Sequence, residues 1–86
     1  MFDELIELAR DLDIDYVQVS KGKRYTVEFA HRGKCAEIKE GALLVSASGV
    51  GDTLDEAAVN YLLQIRGKRL VFDAYGEHRY EVIVPV

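Results

Sequence analysis

The sequence predicts an α+β fold: a single antiparallel β-sheet, laid out as a meander, with two helices packed on one face. Three observations predict it. Apolar residues recur at helical spacing in only two segments, near the N-terminus and over residues 54–65. Elsewhere, short runs alternate apolar and polar residues, the period of a strand with one buried face. Glycine-bearing turns separate those runs at short, regular intervals. The expected order is α-β-β-β-(β)-α-β-β, and all 86 residues are read as one domain.

Phe2, Leu5, Ile6 and Ala9 share one helical face, and the carboxylates Asp3 and Glu4 sit where the positive end of the helix dipole favours them. A first amphipathic helix is therefore expected over Phe2–Asp11. "DYVQVS" follows, with Val17 and Val19 opposed to Tyr16, Gln18 and Ser20. After the turn "KGKR", "YTVEFA" sets Tyr25, Val27 and Phe29 against Thr26, Glu28 and Ala30. "HRGK" places a glycine for a tight hairpin, leading into "CAEIKE", the turn "EGA" and the strand "LLVSAS". Gly49 and Gly51 then read as a turn. Thr53 is the expected N-cap of the second helix, and Glu56 three residues on completes a capping box. Leu54, Ala57, Ala58, Tyr61, Leu62 and Ile65 form its apolar stripe, and Gly67 suits the position just past its end. "RLVFDAY" and "RYEVIVPV" read as two closing strands around a turn at Gly76, with Pro85 at a strand end.

Composition narrows the function. Hydrophobic residues are 49% and charged residues 30% of the chain, a globular balance. The lone Cys35 has no partner for an internal disulfide, and the acidic start is unlike a secretory leader, so a reducing, cytoplasmic setting is expected. No apolar run approaches the roughly 20 residues that span a bilayer, so no membrane association is expected. The net charge of −4 is concentrated. Asp3, Glu4, Glu7, Asp11, Asp13 and Asp15 stand against Arg10 alone, while residues 16–86 carry nine acids and ten bases.

No residue pattern points to catalysis. "GVGDT" suggests a phosphate loop, but it matches neither glycine-rich fingerprint, and Asp52, Asp55 and Glu56 would repel the anion. His31 and His78 read as solvated turn residues beside arginines, without the converging ligands a metal needs. Cys35 reads as a small buried core residue. No catalytic residue, cofactor or metal is therefore assigned, and the chain is not expected to be an enzyme. The turns do carry basic clusters. Counting strand reversals brings Lys21, Lys23 and Arg24 to the same end of the sheet as Arg66, Lys68 and Arg69, a nucleic-acid-binding candidate.

The segment "GVGDTLDEAAVNYL" resembles the HicB antitoxin family, whose members follow a strand meander with a "GDT-x-EEA" helix entry; Gly51, Asp52, Thr53, Glu56 and Ala57 match it. The chain has no "PDLPGC"-like segment and carries an additional N-terminal helix. "GDTLDEA", "IRGKRLVFDAY" and "EVIVPV" are also similar to small early-region proteins of phages and prophages. The α-β-β-β-α order resembles the double-stranded RNA-binding domain, but "GDTLDE" presents the wrong charge for an RNA backbone. The phage likeness implies a context rather than an activity. With no catalytic constellation, the expectation is a small, phage- or prophage-like, non-enzymatic binding protein that acts through protein–protein contact. Nucleic-acid binding is the alternative, and an apolar sheet edge such as "EVIVPV" suggests a homodimer.

Overall fold

The computed structural model describes all residues, 1–86, and bears out the α+β class. Helix α1 spans Phe2–Asp11 and α2 Leu54–Ile65. Eight strands accompany them: β1 Tyr16–Lys21, β2 Tyr25–His31, β3 Lys34–Cys35, β4 Glu37–Glu40, β5 Leu43–Ser46, β6 Gly49–Gly51, β7 Arg69–Phe72 and β8 Tyr80–Ile83. Every pairing is antiparallel.

The single meander does not form. The strands make two four-stranded sheets. In the first, β1 pairs with β2, and the other edge of β2 is shared by β3 and β6. The second runs β5-β4-β7-β8. The reason lies in two sheet crossings. "CAEIKE" is not one strand but breaks at Ala36 into β3 and β4, and the chain returns through Ala47 and Ser48 into β6. The β4–β5 hairpin is thus an excursion inserted into one strand position of the first sheet. "GVG", expected as a turn, is the strand that completes that position.

Between β3 and β6 the edge of β2 has no neighbouring strand. Phe29 lies there, two residues past the Val27–Gly49 pair. Its carbonyl accepts the Ala36 N–H at 3.0 Å. Its N–H donates to the Tyr61 hydroxyl oxygen, also at 3.0 Å. Tyr61 is fully buried and meets the Phe29 ring edge-on, with centroids 5.4 Å apart.

Tyr61 reaches that gap because α2 sits directly on β6. A Cβ at Gly49 would lie 2.5 Å from Tyr61 Cβ, and one at Gly51 would lie 2.5 Å from Ala57 N. The two glycines serve close helix–strand packing. Asn60 and Gln64 of α2 donate to the carbonyls of Val50 and Ser48 at 2.7 and 2.6 Å. Helix side chains therefore occupy the carbonyls of Val50 in β6 and of Ser48 just before it, which no strand reaches. The expected stripe of α2 is observed: Ala57, Ala58, Tyr61 and Ile65 are buried, and Leu54 and Leu62 are half-buried against them. With Leu5 and Ala9 of α1, Val27 and Phe29 of β2, and Ile38, Leu70 and Phe72 of the second sheet, they form one core.

Tyr61→Phe should leave the buried Phe29 amide without an acceptor and cost about 1–3 kcal/mol in chemical denaturation. Burial also pushes the Tyr61 phenol up to about 12, although the Phe29 N–H pulls it down. Its folded value thus lies above the ordinary 10. The associated stability is complete below pH 10 and is lost as pH rises through about 12, on the order of 2–3 kcal/mol. Wild type should show this alkaline loss and Tyr61→Phe should lack it; identical pH profiles would contradict the assignment.

Candidate functional site: an open strand edge beside an acidic helix

The two basic clusters do not meet. Gly51 pairs with Tyr25, so α2 starts at the "KGKR" turn rather than at "HRGK". The inserted β4–β5 hairpin reverses the strand count on which the expected juxtaposition depended. Arg24 donates to Asp52 at 2.9 Å and to Glu56 at 3.4 Å in the first turn of α2. Arg66 caps the opposite end, about 18 Å away along the helix at 1.5 Å per residue. That exceeds the Debye length of about 8–10 Å. Lys68 pairs with Glu40 at 3.4 Å, and Arg69 with Glu81 at 3.3 Å. The hydrogen bond from Arg79, with Arg69 beside it, holds the Glu81 carboxyl below the usual carboxylate range. Lys21 lies 5.2 Å from the centre of the Tyr25 ring, and Lys23 is exposed. Three of the six candidate cations thus already face carboxylates.

The α2 entry is a well-capped corner. Thr53 accepts the Glu56 N–H at 3.1 Å, as expected of the N-cap. The reciprocal half of the capping box is replaced, because the Glu56 side chain turns to Arg24. Asp55 accepts the Phe2 N–H at 3.0 Å, so the first turn of α2 also caps α1. Gly67, at φ +72°, takes the left-handed position after the helix.

Two residues depart from the sequence reading. His31 ends β2 rather than sitting in a turn, and its ring stacks on Tyr80 with centroids 4.4 Å apart. Its Nδ1 lies 3.4 Å from Asp15 Oδ1, without hydrogen-bond geometry. Apolar neighbours in space, invisible in the local string "AHRGK", draw it inward. His78 is exposed, as expected. Cys35 is half-buried and outside the core, with its thiol 3.7 Å from Gln18 Oε1. Burial and the nearby Glu28 push that thiol up, away from the reactive thiolate.

The one concavity in the molecule lies elsewhere, between α1 and β1. It measures about 560 Å³ and is lined by Ile6, Ala9 and Arg10 of α1, by Asp13, Ile14 and Asp15 of the connection, and by Tyr16 and Val17 of β1. Its frame is fixed from several sides. Asp13 adopts φ +57°, which lets Ile14 N–H return to Ala9 O at 2.8 Å. The Tyr80 hydroxyl donates to Leu12 O at 2.8 Å, and Asp15 accepts the Arg32 N–H at 2.7 Å. β1 pairs only with β2, leaving its outer edge open along this groove. Val19 continues the core-facing side of β1 past the helix and is 42% exposed. The sequence shows the acidic segment and the alternating strand, but not that they border one groove.

Compared with protein-family models, curated proteins and solved structures, the chain matches none. No helix is long and apolar enough to cross a membrane.

Thr53→Ala should lower stability by about 1 kcal/mol through loss of the cap while leaving the circular dichroism spectrum unchanged. An unchanged denaturation midpoint would remove Thr53 from the capping role.

Proposed function

We propose that this chain is a small non-enzymatic binding protein that acts through protein–protein contact, and that the contact is made at the open edge of β1. One observation carries the reading: an unpaired strand edge runs beside a preformed groove with an apolar floor. Exposed strand edges recruit further strands unless charge, proline or a covering element prevents it. β6 is covered by Asn60 and Gln64, β3 is two residues long, and Glu81 and Pro85 mark the β8 edge. β1 has Lys21 only at its last position. The likeness of "GDTLDEA" to HicB antitoxins and to phage and prophage early-region proteins also supports a partner-binding role. The nucleic-acid alternative loses its main support once the two basic clusters stand at opposite ends of α2.

Self-association is a second reading, favoured by β5 rather than by the "EVIVPV" strand. β5 is also an edge, has no charged residue, and leaves Leu43 69% and Val45 43% exposed.

Two variants separate the readings. Val19→Lys should remove captured proteins from a pull-down and leave the sedimentation of the free chain unchanged, because Val19 already faces solvent. Leu43→Lys should shift sedimentation toward monomer without changing the captured set. Loss of capture with Leu43→Lys alone would place the working contact on β5. Nucleic acid eluting in place of protein, and lost at higher salt, would favour the alternative.

A further inference from the structure

We infer that the groove between α1 and β1 takes an extended, cationic peptide segment that joins the first sheet as a strand alongside β1. The inference rests on the β1-edge reading above and names the class of partner. A strand added to an open edge gains main-chain hydrogen bonds from the edge itself, and its selectivity comes from the side chains that flank it. Two features here specify those side chains, and a third favours binding.

The first is the apolar floor. Ile6, Ala9, Ile14 and Val17 line the cavity, and Val19 extends the same side of β1 beyond the end of the helix cover. Alternate residues of an incoming strand point to this side. They should be apolar and of about valine size, because side chains in these positions would enter the groove between helix and strand.

The second is charge. Ile6 and Arg10 follow one another at helical spacing along the groove, Asp3 extends that row toward the N-terminus, and Asp13 lines the groove from the connection beyond the end of α1. Glu7 lies next to that row. Across residues 1–15, six carboxylates stand against Arg10 alone, a charge of −5. Asp3, Glu7, Asp11 and Asp13 take part in no hydrogen bond or ion pair through their carboxylates, whereas the carboxylates around Arg24, Lys68 and Arg69 are engaged. Of the former, Asp13 lines the groove and Asp3 stands one helical turn before Ile6, so unpaired carboxylates border it. A strand rich in lysine or arginine answers that charge, and an acidic strand is repelled.

The third is readiness. The loop Leu12–Asp15 is held by Tyr80, by Arg32 N–H and by the return bond from Ile14 to Ala9, so binding need not order it. The open edges β5 and β8 belong to the second sheet, and no cavity adjoins them.

The direct test uses fluorescein-labelled peptides of six residues, the length of β1, alternating valine with lysine or valine with glutamate. Anisotropy is followed with the full chain between about 10 and 150 mM salt, over which the Debye length falls from about 30 to 8 Å. Backbone amide shifts are recorded in parallel. The valine–lysine peptide should bind, weaken as salt rises, and shift amides of β1 together with those of Ile6 and Arg10. Asp3→Asn and Asp13→Asn should each weaken it about two- to fivefold, the range for exposed charge pairs. Asparagine also tolerates the left-handed backbone of Asp13. Equal binding of the glutamate peptide at the same β1 amides would overturn the cationic class while leaving the edge reading intact. Absence of β1 shifts with either peptide at millimolar concentration would overturn both. Shifts confined to the outward side of α1, without β1, would reduce the contact to surface charge and likewise overturn strand addition.

Discussion

A single buried hydroxyl stands where the two sheets part. The edge of β2 begins against β6, ends against β3, and between them presents the Phe29 N–H with no strand to receive it. Leaving such a group unpaired in a core is costly, so the site demands an acceptor. Tyr61 supplies it from α2 at 3.0 Å while its ring fills the space beside Phe29. Reaching that point requires α2 to sit directly on β6. Only glycine at 49 and 51 allows this approach, because a Cβ at either position would collide with the helix. The "GVG" string, which in isolation suggests a phosphate loop, is thus explained by tyrosine placement and helix packing.

The rest of the architecture follows from that interruption. Once β3 gives way at Ala36, the β4–β5 hairpin can leave the first sheet and found the second, where β7 and β8 join it. The hairpin also fixes where α2 begins. The helix starts beside Arg24, whose ion pairs with Asp52 and Glu56 tie the β1–β2 turn to the helix entry. Basic residues that look like a patch in the sequence are therefore separated by the length of α2, and several serve as local ties. The acidic segment has the opposite fate. α1 buries Leu5 and Ala9, and Asp3, Glu7 and Asp11 remain without a hydrogen bond or ion pair, while Asp13 of the following connection lines the groove at β1. The contact proposed above therefore lies at the groove rather than at the basic turns.

Much of this was legible in the sequence where the signal is local. Helical spacing marked both helices, and the α1 bounds Phe2–Asp11 are those observed. Thr53 and Gly67 announced the ends of α2 through short-range capping chemistry, and "HRGK" announced a tight hairpin, with Arg32 and Gly33 both at positive φ. What the string did not reveal depends on contacts distant in sequence. Nothing in "CAEIKE" marks Ala36 as a sheet crossing, since the residue is small and apolar in either sheet. "GVG" has turn composition, and only the packing of Ala57 and Tyr61 on it makes it a strand. His31 reads as a turn residue until Tyr80, 49 positions away, stacks on it. The groove was hidden for the same reason: an acidic helix and a half-exposed strand are each ordinary, and only their adjacency, with β1 unpaired on one side, makes the concavity.

The claim that Tyr61 seals the gap between the sheets is tested most directly by amide hydrogen exchange at Phe29. With the hydroxyl in place, the Phe29 N–H should exchange as slowly as that of Val27, through global opening alone. In Tyr61→Phe it should exchange through local opening, faster than Val27, while Val27 continues to report the global stability of the variant. Rapid exchange at Phe29 in the wild type, comparable to the exposed turn at Lys23, would contradict the account.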